Sequence, residues 1–356
     1  MLGPGATIGI LGGGQLGRMT ALAAARLGYR AHVFAAEPDS PGTQVAAAAT
    51  VGSYDDDAAL AEFAGAIDVA TFEFENIPAD AVRKIAALKP VMPRPEILEI
   101  SQDRLKEKDF LRGIGVATTD YQEIADGAAL GRALAELGTG RAVLKSARMG
   151  YDGKGQVAVG ARTDPAAAWR AMGSPRGILE AFVDFRCEVS VIVARAADGA
   201  LAAYPTVENR HVNHILDTTI APASLPPETA RAAETIARDI ATRLDLVGVL
   251  AVEMFVTKDG RLLVNELAPR PHNSGHWTID ACATSQFEQL VRAICGLPLG
   301  STERHADAVM KNLIGDEVDA WQAALADPTA HLHLYGKRTT RPGRKMGHIT
   351  RLVPRK

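Results

Sequence analysis

Thr7-Ile8-Gly9-Ile10-Leu11-Gly12-Gly13-Gly14-Gln15-Leu16-Gly17-Arg18-Met19 is the stretch on which the fold turns. A short apolar run meets a glycine turn. The turn meets a segment of helical composition over residues 18–28 that closes on a glycine, and residues 31–34 then read as a second strand. The spacing Gly12-x-Gly14-x-x-Gly17, with Glu37 twenty residues later at the end of that second strand, meets the formal dinucleotide-binding fingerprint. There the glycines allow a tight turn and close phosphate approach, and the acid holds a ribose. An NAD-dependent oxidoreductase is one reading. A purely structural turn is the other, because any strand–helix unit needs a sharp exit.

Working outward, residues 68–72 form a further buried strand ending at Glu73-Phe74-Glu75-Asn76. Alternating strands and helices imply a parallel sheet with ligands at the carboxyl ends of its strands. The proline-rich stretch 90–95 suggests a boundary near residue 100, followed by a charged helix around Asp103-Arg104-Leu105-Lys106-Glu107-Lys108. Beyond it, residues 141–145, 177–183, 188–193, 249–256 and 262–266 read as strands, with Asp259-Gly260 joining the last pair as a hairpin turn. This middle region has antiparallel α+β character.

Composition narrows the class. Of 356 residues, 47% are hydrophobic and 23% charged, and the net charge is −3. Disorder is excluded by the apolar content, and a nucleic-acid coat by the near-neutral balance. No apolar run approaches the ~18 residues a membrane span needs. Met1-Leu2-Gly3-Pro4-Gly5 lacks the regions of a signal peptide. Cys187, Cys282 and Cys295 are odd in number and lie far apart, which fits a reducing compartment and neither disulfides nor zinc. The expectation is a cytoplasmic α/β protein with no nucleic-acid or membrane partner.

Three features point to nucleoside triphosphate chemistry. Gly150-Tyr151-Asp152-Gly153-Lys154-Gly155-Gln156 is a glycine-rich loop between strands whose amides and Lys154 would close over phosphates. Lys145 ends the strand just upstream. Glu253 and the pair Asn265-Glu266 lie in two strands joined by a hairpin, which would gather two carboxylates and a carbonyl. Magnesium prefers such hard oxygen ligands, completed by phosphate oxygens. Each feature alone is commonly structural; in one chain, in this order, they are not.

These residues carry a resemblance. The middle region resembles the ATP-grasp enzymes, and the whole chain is similar to their N5-carboxyaminoimidazole ribonucleotide synthetase family. The similar runs are residues 12–19, 71–76, 151–156, Asn265-Glu266-Leu267-Ala268-Pro269-Arg270-Pro271-His272-Asn273-Ser274-Gly275-His276-Trp277, and 343–348. The resemblance implies a Rossmann-like pre-ATP-grasp domain over residues 1–100, which would bind the ribonucleotide and no dinucleotide. It also implies an ATP-grasp region over 101–300 with a lid at about 115–180, and a small β-rich domain over 301–356.

By the family pattern, Arg104 and Lys145 would contact ATP phosphates, and Tyr151, Asp152, Gly153, Lys154, Gly155 and Gln156 would form the lid. Lys154 stands where many members have Arg, so its own contact differs in kind. Glu180, Ala181, Phe182 and Val183 would line the adenine slot, Glu188 would hold the ribose, and His211 would lie near the nucleotide. Glu253 and Glu266 would bind magnesium, or manganese in its place, with Asn265 beside them. Arg270 and His272 would meet the bicarbonate or carboxyphosphate anion. Gln15, Leu16, Glu73, Glu75, Asn76, Tyr151 and Asp152 would contact 5-aminoimidazole ribonucleotide. The reaction implied is ATP-dependent carboxylation of that amine through carboxyphosphate, by a homodimer. A non-catalytic ATP sensor is the remaining alternative, against which intact Lys145, Glu253 and Glu266 speak.

The charge is unevenly distributed. Residues 337–356 hold eight basic side chains and no acid, so the rest of the chain carries −11. Residues 331–335 and 348–353 alternate like strands, and between them Lys337, Arg344 and Lys345 flank Gly336 and Gly343. That grouping suits one phosphate monoester, the ribonucleotide's 5′-phosphate.

Overall fold

A computed structural model of the chain describes residues 1–136, 140–148, 150 and 155–355. Its N-terminal sheet is parallel, in the order Ala48–Val51, Arg30–Ala35, Thr7–Leu11, Val69–Phe72. Ile8, Ile10 and Leu11 are 1% exposed or less, so the central strand is covered on both faces and reads as an unbroken apolar run. The first helix spans Gln15–Arg26, starting earlier than the composition of residues 18–28 suggests, with Gly14 as its extended N-cap. Leu16 and Gly17 thereby fall inside its first turn.

The proline-rich stretch is ordered rather than an open linker. Val91 bridges Ala70 at the sheet edge, and Pro95 opens the helix Pro95–Gln102, where its fixed φ and missing N–H cost nothing. Asp103 then caps the helix Arg104–Gly113 by accepting from the Leu105 and Lys106 amides.

A second, antiparallel sheet runs Tyr121–Ile124, Gly177–Ala181, Arg141–Ser146, Gln156–Gly160. Helices Gly127–Glu136 and Pro165–Met172 cover it, and Leu130, Leu144, Met172 and Leu179 belong to a core of its own. The largest sheet among the described residues runs Leu262–Ala268, Gly248–Thr257, Phe185–Arg195, Val207–Val212, Ile215–Ala221, Asp307–Ile314, Lys345–Val353, Ala330–Leu334. Asp307–Ile314 pairs with Ile215–Ala221, so the C-terminal strands continue the central ladder.

Several strands escaped the sequence reading, Val207–Val212 and Ile215–Ala221 among them. Their polar positions interrupt the apolar alternation because one face of this sheet is turned to a site instead of a core. The helices Gln15–Arg26 and Gln286–Ile294 share one hydrophobic core, to which Met19, Ala24, Phe287 and Leu290 contribute. That core fixes the N-terminal unit against the large sheet.

Candidate active site

The glycine turn is filled by the chain itself. Gly14 N–H donates to Glu73 Oε1, and Gly17 N–H donates to Glu73 Oε2 at 2.7 Å. A Cβ on Gly12 would lie 2.4 Å from Glu73 Cγ, and one on Gly14 2.7 Å from Glu73 Oε1. The glycines make room for a buried carboxylate, and it takes the Gly14 and Gly17 amides, two of the donors a pyrophosphate would need there. Glu37 is exposed. The dinucleotide reading has no support left in this geometry. Burial raises the Glu73 pKa, opposed by the Gly17 and Gly14 amides, Arg270 and Lys337.

At the same edge Glu75 Oε1 pairs with Arg270 Nη2 at 2.8 Å, both side chains mostly buried. Gln15, next to Gly14, and Asn76, next to Glu75, are half-buried, and Leu16 is buried. Gln102 Nε2 donates to the Glu75 and Ile77 carbonyls at 2.6 Å each, holding the strand end that carries Glu75.

The hairpin gathers the carboxylates as its spacing predicts. Glu253 lies directly opposite Glu266 in the antiparallel register, so their side chains leave the same face. Glu253 Oε1 is 2.9 Å from His272 Nε2, and Glu266 Oε2 accepts from Arg104 Nη1 at 3.2 Å. Burial would raise the Glu253 pKa, but His272, His211 and Arg270 outweigh it and hold the group at about 2. Asn265 Oδ1 is buried with no hydrogen-bond partner among the described residues. Carboxylates and an orphaned amide oxygen are the donor types a hard divalent cation takes. A carboxylate of Glu188, a ring nitrogen of His211 and a carboxylate of Glu253 also come within 4.8 Å of one another.

Lys145 Nζ donates to Glu180 Oε2 at 2.8 Å. Burial opposes ionisation of Glu180, yet Lys145, Lys108 and Arg104 bring it down to about 2. Ala181, Phe182 and Val183 follow on the same strand end, with Phe182 40% exposed and the Arg141 guanidinium 3.9 Å above its ring. An exposed aromatic at a strand end is a surface available for stacking. Gly155 takes φ +68° close against Ser146, and Gln156 Nε2 lies 3.4 Å from His214 Nδ1. Tyr151, Asp152, Gly153 and Lys154 lie outside the described residues. Glu188 Oε2 is 3.2 Å from His211 Nδ1; burial lowers the His211 pKa, but Glu188 and Glu253 raise it overall.

The basic C-terminal turn docks on the N-terminal unit. Gln44 Nε2 donates to the Gly336 carbonyl at 3.0 Å, and Arg338 pairs with Asp39. Lys337 Nζ donates to the Lys345 carbonyl at 2.6 Å and lies 5.6 Å above the Tyr335 ring, while its charge is felt at Glu73. Arg344 Nη1 donates to Thr339 O and Oγ1, each at 2.8 Å. Lys337 is thus at the Glu73 edge, whereas Arg344 is turned to its own loop.

Two groups went unnoticed in the sequence. Lys108 is fully buried and donates to Asn265 O at 2.9 Å and Thr118 Oγ1 at 2.6 Å; Glu107 accepts from Leu267 N–H. They hold the strand that carries Glu266. Their signal was helical spacing, since Arg104, Glu107, Lys108 and Leu111 share one face. The second group is a buried run of Ser190, Asn209, Thr219 and Ser274 behind His272.

Known proteins share this arrangement along its whole length. Residues 5–102 match the ribonucleotide synthetase preATP-grasp domain, residues 109–287 the ATP-grasp domain, and residues 308–355 the phosphoribosylaminoimidazole carboxylase C-terminal domain. N5-carboxyaminoimidazole ribonucleotide synthase of Brucella melitensis is 52% identical, over 99% of this chain and 98% of the relative. That of Bacillus subtilis is 46% identical, over 98% and 91%. An ADP complex of N5-carboxyaminoimidazole ribonucleotide synthetase superposes with a TM-score of 0.96 at 43% identity, covering 100% of this chain and 94% of that one. The Aspergillus clavatus enzyme in complex with ADP and 5-aminoimidazole ribonucleotide gives 0.92 at 34%, covering 98% and 94%. The chain belongs to the N5-carboxyaminoimidazole ribonucleotide synthase family of ATP-grasp enzymes.

Proposed function

We propose that this chain carboxylates 5-aminoimidazole ribonucleotide to N5-carboxyaminoimidazole ribonucleotide, using ATP and bicarbonate, as a step of purine biosynthesis. The observation that carries the reading is the Glu253–Glu266 pair set beside His272 and Arg270, with Arg270 also paired to the N-terminal unit through Glu75. One cluster thereby touches both the phosphoryl-transfer carboxylates and the strand edge where the ribonucleotide would lie.

In the chemistry, a bicarbonate oxygen attacks the γ-phosphorus, ADP leaves, and carboxyphosphate forms. The exocyclic amine then bonds to the carboxyl carbon, directly or as released CO2, while phosphate departs and the amine loses a proton. Carboxyphosphate hydrolyses readily, so the site must hold both partners together and exclude water. Glu253 and Glu266, with Asn265, would hold magnesium, which when bound neutralises charge on the phosphate oxygens. Lys145 and Arg104 would leave Glu180 and Glu266 to meet the phosphates. Arg270 presents its planar fork to the carboxyphosphate anion, and His272 donates beside it.

Glu180 to Val183 would receive the adenine, Glu188 and His211 the ribose, and residues 150–156 would close over the phosphates. Gln15, Leu16, Glu75 and Asn76 would border the ribonucleotide, with Lys337 and Lys345 on its 5′-phosphate. Glu73 acts through the glycine turn it braces. The domain divisions stand at about residues 100 and 300. We place the enzyme in the cytoplasm as a homodimer; no helix of the described residues is long and apolar enough to cross a membrane.

Purified protein should release phosphate from ATP only with magnesium and bicarbonate, and fastest with 5-aminoimidazole ribonucleotide. Turnover indifferent to the ribonucleotide would sink the assignment. Glu266→Ala should abolish this turnover, by about 10³-fold or more, with the fold retained by circular dichroism.

A further inference from the structure

A buried polar chain reaches His272 from inside the large sheet. Thr219, Asn209, Ser190 and Ser274 are each 4% exposed or less. Register brings three of them together: Asn209 lies opposite Thr219, and Ser190 lies opposite Glu253 on its other side. Ser274 comes from the short helical turn Asn273–Gly275 just after His272.

The bonds run one way. Thr219 Oγ1 donates to Asn209 Oδ1 at 3.0 Å, Asn209 Nδ2 donates to Ser190 Oγ at 2.9 Å, and Ser190 Oγ donates to Ser274 Oγ at 2.7 Å. Ser274 has then only one direction left for its own proton, toward His272 Nδ1 at 2.8 Å; the Ser274 backbone N–H faces the same nitrogen at 3.3 Å. At the far end Glu253 Oε1 stands 2.9 Å from His272 Nε2. The Ser274 backbone N–H, which can only donate, demands the same polarity, because reversing the Asn209 amide would turn the Ser190 and Ser274 hydroxyls round and set an Nδ1–H against that backbone donor.

We infer that Thr219, Asn209, Ser190 and Ser274 lock His272 in the tautomer with its proton on Nε2, so that His272 faces the reaction site as a hydrogen-bond donor. The inference rests on the proposed function, in which His272 borders carboxyphosphate. Its donor face then serves an anionic oxygen, the Glu253 carboxylate or the carboxyphosphate that forms beside it. Ser190, Asn209 and Ser274 act through His272 and are positioning residues.

The test uses full-length protein labelled with 15N-histidine, with His272 assigned by its loss in His272→Gln. Long-range proton–nitrogen correlation should show the Nε2–H pattern in the wild type; an Nδ1–H pattern would overturn the inference without any variant. Asn209→Asp sets an acceptor where the donating amide stood, so it should reverse the hydroxyls and move the proton to Nδ1. Its kcat should fall about 10- to 100-fold, with KM for ATP unchanged within twofold. Ser274→Ala should lower kcat similarly, and Ser274→Thr should restore it. Folded Asn209→Asp and Ser274→Ala with wild-type tautomer and kcat would overturn the lock. Full bicarbonate-dependent turnover by His272→Gln would instead sink the placement of His272 at the reaction, while the spectrum still decides the tautomer.

Discussion

Glu180 shows how a single buried charge can serve two states of the molecule. With Lys145, Lys108 and Arg104 around it, its folded pKa of about 2 lies below the ordinary carboxylate value of 4.5. A depressed acid stabilises the fold above the unfolded pKa, and that stabilisation is lost as pH falls from about 4.5 toward 2. Glu180→Gln should therefore cost about 3 kcal/mol at neutral pH, and the gap to wild type should close below pH 2 in denaturant titrations. If ATP draws Lys145 away as proposed, Lys108 and Arg104 remain as positive neighbours of Glu180, so the pair would open without stranding a bare anion. Glu73 is the opposite case, an acid whose hydrogen bonds among the described residues all come from backbone amides. Glu73→Gln would turn one of two accepting oxygens into a donor facing an N–H, which predicts a loss of about 1–3 kcal/mol.

The glycine turn is the element in which local backbone and site meet. Gly12 combines φ +111° with no room for a Cβ beside Glu73. Gly12→Ala should thus destabilise by about 2 kcal/mol or more, and calorimetry should show the loss even without ligands. This turn also measures how far the sequence could be read. Strand, turn and helix were legible because apolar runs and glycines are local signals. Its occupant was not, since nothing local says that Glu73, more than fifty residues later, bonds to Gly14 and Gly17. The Glu253–Glu266 hairpin was legible because a short turn fixes its register. Ser190, Asn209 and Thr219 were not, because their strands meet only through the folded sheet, where each looks like an ordinary polar residue in a β segment. The charged face of Arg104, Glu107 and Lys108 lay between these cases. Its spacing was visible, but helical charges usually face water, and here tertiary packing buries Glu107 and Lys108 and half-buries Arg104.

At the scale of the molecule, the site is assembled from three distant stretches of chain, and each can be probed separately. Lys337 comes to the Glu73 edge only because Gly336 and Arg338 dock on Gln44 and Asp39. Lys337→Ala should raise KM for the ribonucleotide about tenfold and leave KM for ATP unchanged, with the effect shrinking at high salt in steady-state assays. Arg270→Lys should harm turnover nearly as much as Arg270→Ala, because a point charge cannot replace a fork that meets Glu75 and would at the same time grip the proposed carboxyphosphate.

The continuous ladder from Ile215–Ala221 into Asp307–Ile314 also bears on how the protein survives in solution. Those last strands seal a sheet margin. A chain cut before Asp307 would bare the hydrogen-bonding row of Ile215–Ala221 and offer it to any other extended segment. Such a truncation should precipitate or form strand-added oligomers on light scattering, at concentrations where the intact chain stays clear. The C-terminal segment is then a safeguard against aggregation, a duty it performs before any nucleotide arrives.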